Sequence, residues 1–486
     1  MSNASASLVN DGITAKLCAW AFNLELEQIP GDVQARAKHI VLDGVGCAMV
    51  GAHLPWSEVA AKAIFDLEAP GDCSIIGWDR KLSGSAAALL NSTLIQSFEL
   101  DDYHSRAPLH SAALLLPALF AAVEHVHSCS PEGPPISGKA FLIAAIVGLE
   151  IGPRIGLGLG GGKMLSRGWH SGAIFGGPAV ALAVSKLLGL SQLQMEWALG
   201  TACTQAGGLM SAQYESMVKR MQHGFASRNG FLAAFLSRAN YTGIEDVLER
   251  QYGGFLAVFS QGSKDDLHQN GEAIITALGD TWEINNICIK PYAAMAGLHA
   301  SIDCIRSLQK THADRLGNPQ AIQYVQIEMG DEAFKHGGWE VQQRPLTVVG
   351  AQMNAKYVVA AQLVDGEILP SSYGPVKINR DVLYELIDKT TCLHQSDFDA
   401  SYKTRVTIRL HGEQPKELTE TVELPRGSKP PLSNDEIREK YEALLSRLVD
   451  QERRTKLRDM VTGLERVAAM ESVIAELRGN VKSALI

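Results

Sequence analysis

The sequence predicts a mainly α protein, with a large all-helical domain built from both chain ends and a smaller α+β lid domain inserted between them. Three observations carry this expectation. Ala, Leu, Ile and Val recur at helical spacing from residue 8 to about residue 275; strand-like runs gather after about Leu278; and amphipathic helical patterns return from Asp435. The expected ranges are 1–278 with 427–486 for the helical domain and 279–426 for the lid.

In chain order, ITAKLCAWAFNL, ARAKHIVLDGVGCAMVGA, GKAFLIAAIVGLEIG and PAVALAVSKLLG read as helices that are apolar nearly all round, hence buried on more than one side. Gly44, Gly46, Ala48, Gly51 and Ala52 leave room for close helix approach. SIIGW, from Ser74, is the one expected strand in this half. Farther on, NICIKPY and IQYVQIEMG read as strands, and VTIRLHGE with KELTETVEL as a hairpin around Gly412–Pro415. AMAGLHASIDCIRSLQ and GAQMNAKYVVAAQLVDG each read as one helix. DEIREKYEALLSRL and TKLRDMVTGLERV are amphipathic helices whose apolar faces are expected to rejoin the first domain.

Hydrophobic residues make up 46% of the 486 and charged residues 20%, enough to build a sizeable core. A net charge of −9 argues against a nucleic-acid surface, and it requires an anionic substrate to be drawn in by a local basic patch. The eight cysteines form no C-x-x-C pair and read as reduced, mostly buried thiols. No targeting pattern opens the chain, and no apolar run is expected to reach the ~20 residues of a membrane span. A cytoplasmic protein without membrane or nucleic-acid partners is the expectation.

Chemistry concentrates in three stretches. Between two apolar helices, Gln96 to Ala113 crowds Glu99, Asp101, Asp102, His104, Arg106 and His110 together. Asp101 and His104 are spaced i, i+3 and would meet on a helix. Pro108 suits a first helical turn, which sets His110 near a helix N-terminus that favours anions. The plainer reading is a capping and salt-bridge corner with Asp101 or Asp102 as N-cap. In RGWHSGAIFGGP, His170 stands between a Gly-rich loop and a helix start. The upstream GLGLGG follows a helix instead of a strand, so a dinucleotide site is rejected. In SAQYESMVKRMQHGFASRNG, Lys219 and His223 are i, i+4 on one helical face, with Arg220 beside Lys219 on another; a basic surface helix is the alternative. No H-E-x-x-H, Cys quartet or facial-triad spacing occurs, and no metal is expected, although Asp102, His104 and His110 have the residue types of a chelate.

The ordered set ELDDYHSRAPLH, GWHSGAIFG, MVKRMQHGFASRNG, KPYAAMAGLH and RPLTVVGAQMNAKY resembles the MmgE/PrpD family, over essentially the whole chain. That family holds 2-methylcitrate dehydratase, cis-aconitate decarboxylase and an iminodisuccinate epimerase. The resemblance implies a helical domain with a smaller lid, a homodimer, no cofactor and a small tricarboxylate substrate. Its favoured activity is decarboxylation of cis-aconitate to itaconate and CO₂, with a 2-methylcitrate dehydratase-like hydro-lyase or an epimerase as the alternative. By analogy the catalytic residues fall on His110, His170, Lys219 and Tyr357, and the substrate-binding ones on Tyr103, Asp102, Arg106, His223 and His299. Three departures mark this chain: Tyr103 where many relatives have Thr, the extra charge of Arg106, and Glu215–Ser216, of which Glu215 is placed to pair with Lys219.

Overall fold

The computed structural model describes residues 11–213, 216–261, 270–412 and 417–486. Helices dominate the described residues. In order they are α1 (Ile13–Asn23), α2 (Gly31–Gly51), α3 (Pro55–Leu67), α4 (Gly84–Ile95), α5 (Ser111–Cys129), α6 (Gly138–Gly158), α7 (Lys163–Ser166), α8 (Ser171–Leu187), α9 (Gln192–Cys203), α10 (Gln222–Arg238), α11 (Phe255–Phe259) and α12 (Glu272–Ile275). The short strands here are β1 (Cys73–Ser74), antiparallel to β2 (Lys81–Leu82), and β3 (Asp102–His104). Of the expected SIIGW strand, Ser74 alone lies in β1.

Contacts divide the chain into two compact units, Met1–Ser97 with Asp101–Ile287 and Val449–Val481, and Phe98–Leu100 with Cys288–Leu448 and Lys482–Ile486. In the first unit α8 is central: α5, α6, α9 and α10 all pack on it, and α10 packs on α4 and α5 as well. Small residues permit this closeness. Ala181, Ala198, Ala202 and Ala233 form one buried cluster across α8, α9 and α10. A Cβ on Gly224 would come within 2.5 Å of Leu89 O on α4, so glycine there lets α10 sit directly against α4. Helices α5 and α6 are long and apolar enough to cross a membrane, contrary to the expectation that no run reaches that length. Their apolar windows are 72% and 89% buried inside the structure, which is how core helices satisfy the same composition.

The second unit is α+β. β4 (Ile287–Ile289) leads into it, and α13 (His299–Thr311), α14 (Ala313–Leu316), α15 (Asp331–Gly337), α16 (Val348–Gln352), α17 (Ala355–Asp365) and α18 (Asp381–Asp388) follow. One sheet runs β6 (Thr390–His394), β5 (Ile322–Met329), β7 (Thr404–Leu410), β8 (Glu417–Val422), with β5 parallel to β6 and antiparallel to β7. In β7, Thr404, Val406, Ile408 and Leu410 are buried and their neighbours are not, the period-2 pattern of a half-covered sheet. Helix α13 covers that face with Ile302, Cys304, Ile305 and Leu308. The β7–β8 hairpin forms as expected, and its tip at 413–416 lies outside the described residues. GAQMNAKYVVAAQLVDG is two helices, because Asn354 starts α17 by accepting the Tyr357 N–H on its side chain.

The return to the helical unit falls later than expected, at residue 449 instead of 427. Helix α19 (Asn434–Leu445) stays with the second unit: Ile437, Tyr441 and Leu445 are buried and Lys440 Nζ donates to Leu100 O at 2.6 Å. Helices α20 (Gln451–Thr462) and α21 (Glu471–Ala475) belong to the first. All eight cysteines are free thiols, and seven of them are buried.

Candidate active site

Two adjacent carboxylates open the site in the first unit, and each has a separate partner. Asp102 accepts the backbone N–H of Ser111 at 2.8 Å and of Ala112 at 2.9 Å, capping α5 from outside the helix. Each of its oxygens takes one amide there, so Asp102 acts as a cap for α5. Asp101 is fully buried, and its Oδ2 lies 2.9 Å from His110 Nδ1. An ionised carboxylate only accepts, so Nδ1 carries a proton and Nε2 is left for chemistry. Asp101 therefore pairs with His110, nine residues on, and not with His104. Asp101 lies at a bend and the chain from 102 to 104 is the extended β3, so Asp101 and His104 are not on one helix as their i, i+3 spacing would need.

Burial pushes the Asp102 carboxyl up to about 7, and the Asp101 charge adds to it; His110 and the two amides pull the other way without prevailing. This has a measurable consequence. Between about pH 4 and pH 7 the folded chain keeps a proton that the unfolded chain, titrating near the ordinary Asp value, has released. The Asp102 contribution to stability therefore falls as pH rises through that window. Asp102→Asn removes the slope, so the difference between the urea midpoints of variant and wild type should move in the variant's favour from pH 4 to pH 7, on top of a pH-independent cost for the one amide N–H that the Asn nitrogen cannot accept. A constant difference across the window would contradict this assignment.

His110 and His170 occupy equivalent places, as the N-cap residues of α5 and α8. His170 Nδ1 accepts the Ala173 N–H at 3.3 Å, which leaves the ring hydrogen on Nε2. Desolvation of the ring, then the nearby His110 and Lys219 charges, lower His170 to about 3, so it works as a neutral imidazole. Between the two stands His223, fully buried, its centroid 5.0 Å from that of His110 and 4.9 Å from that of His170, edge-on to both at 83°. The N-termini of α5 and α8 thus meet at one ring. The Lys219 charge acts on His170, on the α8 side, while Asp101 and Asp102 bring carboxyl groups to the start of α5.

Glycines and one glutamine build the space. A Cβ on Gly172 would stand 2.3 Å from His223 Nε2, so this position in the GWHSGAIFG stretch admits the ring only without a side chain. Gln222 spans the loop before α10, donating to Leu209 O at 3.1 Å and accepting its N–H at 2.8 Å, while His170 N donates to Gly208 O at 3.1 Å. Nothing in their spacing marks Gln222 or Gly172 as site residues; the glycine-rich stretch around His170 is the signal the sequence holds.

Lys219 is half-buried on a 3-10 turn, Met217–Arg220, and α10 begins only at Gln222. Lys219 and His223 therefore do not share a helical face as their spacing predicts. Met217 and Val218 are exposed, whereas Arg220 is buried and donates to Gln96 O at 3.3 Å, a structural role. Glu215 lies outside the described residues. Tyr103 is half-buried in β3. Arg106, 59% exposed, is ion-paired with Glu283 at 2.5 Å, so its charge is already engaged.

Tyr357 and His299 belong to the second unit. The fully buried Tyr357 hydroxyl donates to Ser372 O at 2.8 Å, its ring stacks on Tyr373, and burial raises its pKa. His299 Nε2 donates to Ala294 O at 3.0 Å, and burial lowers the ring to about 3. In the same unit Lys290 Nζ pairs with Glu99 at 2.9 Å, both buried. Among the described residues no group of three His, Cys, Asp or Glu side chains is placed to hold a metal ion.

Comparison with known proteins matches residues 15–268 to the MmgE/PrpD N-terminal domain and residues 292–466 to the MmgE/PrpD C-terminal domain. The cis-aconitate decarboxylase-like protein oryM of Aspergillus oryzae is 47% identical over 96% of this chain and 98% of its own length. Cis-aconitate decarboxylase of Aspergillus terreus is 42% identical over 99% of both chains, and that of Mus musculus 25% identical over 96% of this chain and 93% of its own. A histidine-lined pair of helix N-termini in one unit, an α+β second unit, and both domain models matched in order give one conclusion: this chain belongs to the MmgE/PrpD family.

Proposed function

We propose that the chain is a cis-aconitate decarboxylase, releasing CO₂ and itaconate without an electron-sink cofactor. The observation that carries this reading is end-to-end similarity, at 42%, to a protein named for that activity. The grouping of His110, His170 and Lys219 around His223 supports it chemically. Cis-aconitate carries three carboxylates. Cleavage of the bond to the carboxylate on its CH₂ arm leaves an electron pair spread over an allyl system, and CO₂ departs. One proton added at the far carbon, beside a retained carboxylate, gives itaconate, so a trianion and a proton become a dianion and CO₂.

Lys219 opposes the retained carboxylates and the developing charge, a preorganised electrostatic contribution. His110 delivers the proton from Nε2, with Asp101 fixing its ring through Nδ1. Neutral His170 offers its Nε2–H as a hydrogen-bond donor. A homodimer belongs to the same proposal on the strength of the family resemblance.

The test is direct. Purified protein given cis-aconitate should release CO₂ and form itaconate in equal amounts, resolved by chromatography. Lys219→Met should lower kcat/KM by about ten- to a hundredfold, the cost of a lost charge-assisted contact. Absence of CO₂ from cis-aconitate, with water loss from 2-methylcitrate instead, would replace this reading by the dehydratase one.

A further inference from the structure

The geometry points to Glu283 as a positioning residue for His110, acting through His104 and the loop that ends at His110. The inference rests on the decarboxylase reading for its kinetic consequences and on contacts within the first unit for its geometry. Three donors converge on this one carboxylate: His104 Nε2 at 3.0 Å and Asn286 Nδ2 at 2.9 Å on Oε2, and Arg106 Nη2 at 2.5 Å on Oε1. His104 is fully buried, and its Nδ1 accepts the Ala107 N–H at 3.0 Å, so Nε2 holds the hydrogen that Glu283 receives. Two backbone bonds complete the stitch: His104 N donates to Leu109 O at 3.1 Å and Ser105 N to Asn286 O at 3.3 Å.

These bonds close residues 104–109 into a loop and fasten it to 283–286. Asp101 lies just before the strand that feeds this loop, and His110 is the residue that leaves it. Holding the loop therefore sets the separation of Asp101 and His110, whose hydrogen bond spans 2.9 Å. Glu283 is itself fixed from behind, since the next residue's amide, Ile284 N, donates to buried Glu150 at 3.2 Å. Burial alone would raise the Glu283 carboxyl, but the bonds from His104, Arg106 and Asn286 outweigh it and bring Glu283 down to about 2, so it is ionised throughout the working range.

Glu283→Gln keeps the volume and turns an amide N–H₂ toward one of the donors. In this variant kcat should fall about ten- to a hundredfold while KM changes less than about threefold, because a misplaced proton donor affects the chemical step. In an Asp101→Asn background the same change should cost less than about threefold, since residues acting through one pair are not additive. An activity-independent readout accompanies this. In histidine-¹⁵N-labelled protein, the downfield His110 Nδ1–H signal, identified by its loss in Asp101→Asn, should broaden or shift in Glu283→Gln. An unmoved signal in the folded variant, or full additivity in the double mutant, would overturn the proposal. If wild-type protein does not act on cis-aconitate, the functional reading fails while the spectrum still decides the positioning role. Should Glu283→Gln not fold, Asn286→Ala removes one strand of the same network and is read identically.

Discussion

Asp101→Asn and His110→Gln are each expected to lower kcat for cis-aconitate by about a hundredfold to ten-thousandfold, with thermal unfolding little changed and the double variant no worse than the single ones. The size follows from what each change removes. His110→Gln deletes the proton carrier. Asp101→Asn keeps a polar group within reach of Nδ1 but removes the buried negative charge that stabilises the ring when it carries two protons. His110 is the member of the trio fitted for proton delivery: its ring side chain is 22% exposed, whereas His223 is sealed in and His170 is held neutral. Steady-state assay of CO₂ release checks this, and rates within about threefold of wild type in both single variants would remove His110 from the proton step.

Arg154→Leu should be the most damaging single change to stability, at about 3–5 kcal/mol, the usual cost of breaking a buried ion pair from one side. Arg154 is 2% exposed on α6. Its Nε meets Glu150 at 2.6 Å, and its other nitrogens donate to the carbonyls of Ile274, Thr276, Ala277 and Thr281. The side chain thus knits the segment that runs on to Glu283 onto the helical core. With leucine there, Glu150 remains fully buried, and four carbonyls lose a donor. Burial already raises the Glu150 carboxyl against the pull of Arg154, so without Arg154 it protonates more readily. The loss should therefore shrink as pH falls toward the carboxylate range. Urea unfolding of the full chain at acid and neutral pH measures it; a loss below about 1 kcal/mol at neutral pH would contradict the buried-pair account.

Much of the helical architecture was legible because its signals are local. Runs such as FLIAAIVGLEIG and PAVALAVSKLLG are apolar on every side, and such helices must be covered by others whatever the topology. Gly44 and Gly51 were legible as close-approach positions for the same reason, and a Cβ there would meet Ala112 and Leu94 at 2.8 Å and 1.8 Å. The capping role of one carboxylate near α5 was readable from composition. Where each range ends was less readable: α19 has an ordinary amphipathic pattern, and its contacts, the Lys440 bond to Leu100 O among them, place it in the second unit.

By itself the sequence determined the family, the helical content and the crowd of ionisable groups from Glu99 to His110. What only the tertiary structure decided is which group meets which. Spacing rules such as i, i+3 and i, i+4 hold on a continuous helix, and at 101–104 and 217–223 the chain is a bend leading into an extended strand and a 3-10 turn followed by a new helix. Asp101 consequently finds His110, His104 finds Glu283 from far along the chain, and His223 finds two histidines on other helices. The proton affinities follow these meetings and the burial that comes with them. Two neighbouring aspartates, identical in the sequence, become a cap pushed up to about 7 and the charged partner of the proton donor.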